Sequence, residues 1–405
     1  MKPRFLEGVR FTDLTWAGAG PFCTKIFSDF GADVLKIEST TRPDSVRLGG
    51  PFKDRIPGTN RSGYFASRNT GKKSLSLNLK DPDALALAQD MIRESDVVSN
   101  NFGPGAMERL GLDYPSLCRI KPDIISLSMP MYGSTGPRAN LLGVGMTISA
   151  ASGLLWHTAY AADDAVGPGT HYPDHAANPY HAAFAVLAAL RLRRRTGKGM
   201  DIDLSQVEST INFMGPAFVE TGLTGREPPQ MGNRSRVHAP HNIFAAAGED
   251  AWVAITVLDD VQWRALCSAM DRQDLAGDPR LSRREGRLAN VAELEDAVKA
   301  WTGRHPAAVV VDALTRAGVP VAKVQSSKDL IEDDAQLRAN RAWQHVDHPE
   351  VGPILLNAPP FKIDGERVEL GRPPLLGEHT KEVLATFLRL SPARIAELEA
   401  KGALS

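Results

Sequence analysis

The chain has 405 residues, with 47 Lys and Arg against 48 Asp and Glu and a formal net charge of -1. That balance lacks the basic footprint of a nucleic-acid binder, and the length exceeds what one hydrophobic core usually supports, so two domains are expected. The longest uncharged apolar stretch, residues 182–190, falls well short of the ~20 residues that cross a bilayer, the first residues carry no signal-like apolar run, and Cys23, Cys118 and Cys267 are scattered without a C-x-x-C pair; a cytoplasmic enzyme with reduced cysteines and no nucleic-acid or membrane partner is expected.

In chain order, residues 9–14 read as a strand, Phe22, Ile26, Phe27 and Phe30 recur at helical spacing, and residues 33–37 read as a second strand, giving a βαβ unit. The alternation continues through a helix at 81–95, a strand at 96–99, a helix at 114–120 and a strand at 123–129. This order predicts an α/β large domain, residues 1–220 forming its first part, built on a doubly wound, Rossmann-like parallel sheet. Residues 221–235 are rich in Gly and Pro and read as a linker. Beyond it, strands at 251–258 and 320–325 with helices at 260–270, 291–301 and 307–317 predict a smaller α+β domain over residues 236–327.

The segment His171-Tyr-Pro-Asp174-His-Ala-Ala-Asn178-Pro-Tyr-His181 leads into the uncharged stretch and on to Arg193-Arg-Arg-Thr-Gly-Lys-Gly199. Asn178 before Pro179 reads as an N-cap with proline at the first helical position, and the following stretch predicts a buried helix. Asp174, just ahead of that helix, is expected to be kept ionised by the helix dipole and nearby N–H groups, a state suited to a nucleophile. Acids near helix starts are common, so this pattern has little weight alone. Arg193 to Arg195 read as the basic end of the helix, and His171, His175 and His181 complete no known ligand spacing, so no metal is expected.

Gly18-Ala-Gly20 after a strand, with Glu38 about 20 residues on, imitates a dinucleotide fingerprint. The third glycine is replaced by Cys23 and Pro21 occupies the turn, which ranks a nicotinamide-dependent enzyme low.

Several distant motifs together resemble the family III CoA-transferases, the superfamily of formyl-CoA transferase, L-carnitine CoA-transferase and alpha-methylacyl-CoA racemase. They are Gly18-Ala-Gly-Pro21 with Gly31-Ala-Asp-Val-Leu-Lys-Ile-Glu38, Lys72-Lys-Ser-Leu-Ser-Leu-Asn78, Asn101-Phe-Gly-Pro-Gly-Ala-Met-Glu-Arg109-Leu-Gly111, Gly133-Ser-Thr-Gly-Pro137, the Asp174 segment with Thr196-Gly-Lys-Gly199, and Pro374-Leu-Leu-Gly-Glu-His-Thr380. The resemblance implies a transferase that exchanges coenzyme A between an acyl-CoA and a carboxylic acid, with no tightly bound cofactor and with Asp174 as nucleophile. It implies that Ala17, Gly18 and Ala19 lie against CoA, that Lys72 and Arg109 meet its phosphates with Lys73 and Arg42 in reserve, and that Asn101 and Phe102 lie near the pantetheine and adenine. It further implies that residues 328–405 return to the large domain and that two ring-like subunits interlock, as a homodimer or with a related subunit. Oxyanions form along such a reaction, and the glycines at 133, 136, 143 and 145 are the backbone N–H sources considered; Gly143, Val144 and Gly145 are taken as the substrate and oxyanion segment. His379 is read as bracing the carboxyl-terminal helix.

Within the family, Val144 and Gly145 fall where the racemase branch carries a His-Asp pair, and neither moves a proton, which argues against racemisation. No clear copy of formyl-CoA transferase's glycine-rich loop is found, which puts oxalate and formate in doubt. The small residues from 143 to 151 suggest room for a larger acyl group, and the chain is most similar to the branch holding succinyl-CoA:benzylsuccinate CoA-transferase subunits. The alternatives are an acyl-CoA isomerase using Asp174 as base and a noncatalytic subunit of a heteromeric transferase.

Overall fold

The computed structural model describes residues 4–160, 164 and 166–405. Its main sheet has six strands, β1 (Arg10–Asp13), β2 (Asp33–Glu38), β3 (Lys73–Ser76), β4 (Val97–Asn100), β5 (Ile125–Ser128) and β6 (Met200–Asp203), in the order β3-β2-β1-β4-β5-β6. Every neighbouring pair is parallel. Parallel strands are covered on both faces, and the apolar side chains of Phe11, Val34, Leu35, Ile37, Leu75, Val97, Val98, Ile125 and Leu127 are buried accordingly.

One face is covered by the helix Pro82–Arg93. The Asp81 carboxylate accepts from the N–H groups of Asp83 and Ala84, Pro82 opens the first turn, and Ala84, Leu87, Ala88, Met91 and Ile92 form its buried stripe. Val383, Leu384, Ile395 and Leu398, from helices Thr380–Thr386 and Pro392–Ala400, join the same core, so packing ties the carboxyl-terminal segment to this sheet. On the other face, Cys23 and Phe27 of the helix Ala19–Asp29 pack with Ala182, Val186 and Ala189 of the helix Asn178–Thr196 against Phe11, Val34, Val97 and Ile125.

The chain forms two compact units, one of residues 1–155, 167–228 and 336–405, the other of residues 156–166 and 229–335. The second unit contains an antiparallel sheet of β7 (His241–Ala245), β8 (Trp252–Thr256) and β9 (Val321–Lys323), with a core in which Trp263, Leu266, Leu294, Val298, Val310 and Leu314 pack on Phe244, Val253 and Ile255. The first also holds the hairpin of β10 (Trp343–His348) and β11 (Gly352–Asn357). The stretch expected as linker is partly helical, since residues 221–224 end the helix Gly215–Thr224 and the chain changes unit after Pro228. No described helix is long and apolar enough to cross a membrane.

Strand order reverses between β1 and β4. In such sheets, ligands bind beyond the carboxyl ends of the strands at the reversal. This topology explains why the turn after β1 imitates a dinucleotide fingerprint.

Candidate active site

The turns leaving β1 and β4 are stapled together by one side chain: Asn101 accepts from the Trp16 N–H (2.8 Å) and donates to the Trp16 carbonyl (2.7 Å). Ala17 adopts a positive φ of 62°, uncommon for a residue with a side chain, and its N–H donates to Asp44 Oδ1 at 2.9 Å. The Phe102 ring meets Trp16 edge-on, and the Arg42 guanidinium lies 5.3 Å from the Trp16 ring. Gly18 then starts the Ala19–Asp29 helix, in whose core-facing side Ala19 is buried.

Asp174 reaches this turn from the other side of the crevice. A methyl group on Gly18 would lie 3.0 Å from Asp174 Cβ, and one on Gly145 would lie 2.7 Å from Asp174 Oδ2 and 2.5 Å from His171 Cβ. The close approach of backbone to carboxylate thus requires glycine at 145, while at 18 an added methyl would push the Asp174 side chain by a few tenths of an ångström. The structure therefore brings together Asp174, Gly18 and Gly145, up to 156 residues apart along the chain and drawn from three separate segments of the sequence.

Two local expectations are corrected. Asn178 is not an N-cap: it has helical φ and ψ of -59° and -48°, its side chain donates to Gln206 Oε1 at 2.9 Å, and a π-helical turn at Pro173–Ala177 precedes it, so Asp174 lies inside that turn. Nor is the Asp174 carboxyl held low. Burial pushes it up to about 6, against the influences of His171, Arg68 and the Gly145 N–H, which favour the anion. Desolvation outweighs the dipole because the carboxylate is packed between two backbone segments rather than exposed at a helix tip.

The helix that follows is buried only on one side. Ala182, Ala183, Val186 and Ala189 face the sheet, whereas Phe184 is 75% and Leu187 43% exposed.

Beside Asp174 sits a group the sequence reading missed. The Arg68 guanidinium packs 4.4 Å from the centre of the Phe22 ring, contacts His175 Nδ1 at 2.8 Å and hydrogen-bonds Tyr64. Since a guanidinium only donates, His175 Nδ1 accepts. Burial, with the positive charge of Arg68 and with His171 nearby, pushes His175 down to about 4, so its imidazole is neutral at pH 7. The only sequence signal for Arg68 was a basic residue ending a short helix, Gly63–Arg68, capped by Ser62.

Lys72 is a correction. Its side chain is fully buried, and its ammonium meets Asp13 Oδ2 (3.2 Å), the Pro21 carbonyl (2.9 Å), Thr24 Oγ1 (2.7 Å) and Asn69 Oδ1 (2.9 Å). Three N–H donors facing four acceptors leave nothing for a phosphate. Around it, Lys36 joins Asp44 Oδ2 (3.0 Å) and the Thr15 carbonyl (2.7 Å), and Arg47 grips Glu38 through two 2.8 Å contacts. This buried network braces the turn after β1 from beneath. Lys73 is corrected as well: its amine pairs with Asp33, at the amino end of β2 and so at the edge of the sheet away from Asp174.

Arg109 is exposed, ends the short helix Ala106–Arg109, and makes no ion pair among the described residues. Of the expected oxyanion segment, only Gly145 faces Asp174. Gly143 is instead glycine because Met131 Sδ and Thr147 Oγ1 would each lie 2.4 Å from a methyl group there. Val144 is no free donor, because its N–H is given to Thr147 Oγ1 at 2.8 Å, although its side chain is exposed. Gly133 belongs to a turn fixed by Asp203, which accepts from the Ser134 N–H at 2.7 Å. His379 Nδ1 accepts from the Ser74 N–H at 3.3 Å, fastening the carboxyl-terminal helix to β3. Among the described residues no group of three or more His, Cys, Asp or Glu is arranged to hold a metal ion.

Comparison with known proteins identifies the family. The family model for CoA-transferase family III matches residues 6–380. The chain is 36% identical over 361 residues to an acetyl-CoA:oxalate CoA-transferase of Acetobacter aceti, covering 89% of each chain. It is 32% identical over 406 residues to a succinyl-CoA:glutarate CoA-transferase of Mus musculus, covering 100% of this chain and 91% of the relative. A CAIB/BAIF family protein from Brucella suis superimposes with a TM-score of 0.86 at 28% identity, covering 94% of this chain and 98% of the other. Such agreement along nearly the whole length leads to one conclusion: this chain belongs to the family III CoA-transferases and is an enzyme that transfers coenzyme A.

Proposed function

We propose that the protein transfers CoA from a dicarboxylic acyl-CoA, of which succinyl-CoA is the simplest probe, to a carboxylic acid by way of covalent intermediates on Asp174. The observation that carries this reading is the enclosure of the Asp174 carboxylate between Gly18 and Gly145, with both side chains absent where a thioester carbonyl must approach. A carboxyl near 6 is ionised at neutral pH and more basic than an ordinary aspartate, hence a better nucleophile.

Asp174 Oδ attacks the thioester carbonyl, the C–S bond breaks, and an aspartyl anhydride and CoA thiolate result. The thiolate attacks the aspartyl carbon, the anhydride C–O bond breaks, and the donor leaves as a carboxylate. The acceptor carboxylate then attacks the aspartyl thioester, expelling thiolate and forming a second anhydride. Attack of thiolate on the acceptor's acyl carbon releases the new acyl-CoA and restores the Asp174 carboxylate. No net proton is taken up, which suits a site holding a neutral His175. The Gly145 N–H is aimed at the carboxylate and is the donor we assign to the developing oxyanion.

For CoA itself, Arg109 and Arg42 are the exposed cations left for phosphate after Lys72 and Lys73 are set aside. The Trp16 and Phe102 rings offer an aromatic edge for the adenine, and Ala17 and Gly18 a backbone for the pantetheine. An acceptor as large as benzylsuccinate is one member of this substrate class, and oxalate, which the sequence reading had put in doubt, is another. The exposed apolar side chains of Phe184, Leu187, Phe213, Phe218, Val219 and Leu223 suit a surface covered by a second subunit, in keeping with an interlocked dimer.

Trapping tests the mechanism. Incubation with succinyl-CoA followed by hydroxylamine is expected to convert Asp174 to its hydroxamate in the wild-type protein and to leave Asp174→Ala unmodified. Failure to trap Asp174 with any acyl-CoA, while CoA still binds, rejects the covalent route.

A further inference from the structure

Arg68 is a partly buried cation that forms no direct ion pair with a carboxylate, Asp174 acting on it only at longer range. Its contacts are with His175 Nδ1 and Tyr64, both uncharged at neutral pH, and with the face of Phe22; its Nε is buried without a hydrogen-bond partner. No ion pair with an acidic side chain is found for it among the described residues. The contrast with its neighbours in space is informative, since Lys36, Arg47 and Lys72 are each buried and each paired with a carboxylate. A guanidinium partly removed from water without a hydrogen-bonded carboxylate costs stability, and such a cost is retained where a ligand supplies the missing partner.

The surroundings hold it in place. Tyr180 packs edge-on against Phe22, Phe22 underlies the guanidinium, and Tyr64 meets His175 edge-on. Because His175 accepts at Nδ1, it orients the fork rather than neutralising it. Tyr180 is 45% exposed, so this wall is reachable from solvent. The guanidinium contacts His175, the residue next to Asp174 in the chain, and its charge favours the Asp174 anion, so it belongs to the surroundings of the carboxylate.

We propose that Arg68 is the specificity residue that holds the second carboxylate of a dicarboxylic substrate, the one that does not react, while the first is exchanged at Asp174. The inference rests on the covalent reading above and adds to it the residue that selects the substrate. A bidentate guanidinium–carboxylate contact against Phe22 would fix the acyl chain's direction, and it would offset the repulsion between the substrate's free carboxylate and the nucleophile. Acids lacking a second carboxylate would leave Arg68 unpaired and gain none of this.

The test compares succinyl-CoA with butyryl-CoA, which puts a methyl group in place of the free carboxylate, in wild type, Arg68→Gln and Arg68→Lys. Readouts are kcat/KM for each donor, hydroxylamine trapping at Asp174 and the affinity for CoA. The wild type is expected to prefer succinyl-CoA, and Arg68→Gln to lose on the order of 100-fold in kcat/KM for succinyl-CoA with little change for butyryl-CoA or for CoA binding. Arg68→Lys should recover part of the succinyl-CoA activity, because it keeps the charge and loses the fork. A wild type indifferent between the two donors overturns the proposal without use of any variant. Equal losses for both donors in Arg68→Gln also overturn it, and assign Arg68 to the nucleophile's own electrostatics. Absence of trapping with both donors in wild type strikes the covalent reading instead, so the two failures are distinguishable.

Discussion

Two clusters of charge lie close together in the large unit and solve the same physical problem in opposite ways. Beneath the turn after β1, Asp13, Lys36, Glu38, Asp44, Arg47 and Lys72 are all buried, and each cation meets an acid. There, burial pushes Asp13 and Glu38 up, but the adjoining cations outweigh it and hold both carboxyls below their ordinary range. Across the crevice, Asp174, Arg68 and His175 are only partly buried and are not matched into pairs. Burial prevails for Asp174 and for His175, moving each toward its neutral form. The paired cluster is scaffolding that fixes backbone; the unmatched one keeps charge available for a substrate.

The sharpest way to break this contrast is to remove the unmatched carboxylate. Asp174→Ala should lower kcat by at least about 10³-fold, measured by CoA exchange between donor and acceptor acids, with the fold intact by circular dichroism. Retention of a tenth of the activity would remove Asp174 from the chemistry. Gly145→Ala comes next: the added methyl meets Asp174 Oδ2 at 2.7 Å, and a loss of about 10²-fold in kcat is expected with CoA affinity retained.

The paired cluster should respond in stability rather than in turnover. Lys72→Ala leaves Asp13 buried without its ammonium and should cost about 3–5 kcal/mol in urea denaturation. Any protein that remains folded should bind CoA as wild type does; a selective loss of CoA affinity would return Lys72 to the phosphate site.

The same physics has a pH signature. Because the Asp174 carboxyl lies near 6, kcat/KM should fall about tenfold per unit as pH drops below that value. A raised carboxyl takes up its proton more readily when folded, so its charge costs stability at high pH, and this cost disappears as pH falls through the ordinary carboxylate range. Asp174→Asn should therefore be the more stable protein at pH 8, by about 1–2 kcal/mol after allowance for partial exposure, and lose that advantage near pH 4. Equal stability at both pH values would contradict the upward shift. The smallest effect is expected for Arg109→Ala, about 1 kcal/mol in CoA affinity, shrinking with added salt because the side chain is exposed.

Much of this was legible in the chain. Strand-like and helix-like runs at 9–37 and 81–129 predicted the doubly wound sheet, because a buried parallel strand and an amphipathic helix leave different periodicities in their residues. Strand β6 went unread: Met200–Asp203 is four residues of alternating polar and apolar character at the edge of the sheet, without the apolar run of a strand buried on both faces. The identity of Asp174 as the central carboxylate came from its motif, yet the direction of its pKa did not. A helix-start dipole is visible in sequence, whereas the packing of Gly18 and Gly145 around the carboxylate is not.

Lys72 and Arg68 show the limit most plainly. The family resemblance put Lys72 at a CoA phosphate, and an arginine ending a short helix drew no notice. In space the lysine is consumed by Asp13, 59 residues away, while the arginine turns to His175, 107 residues away, and forms no direct ion pair among the described residues. The sequence by itself determined the sheet, its covering helices, the family motifs and the carboxylate we propose as nucleophile, because periodicity and local motif are properties of neighbours along the chain. Only the tertiary structure decided which charges are matched and which stand open to a substrate, because desolvation and Coulomb energy depend on distances that the order of residues does not contain.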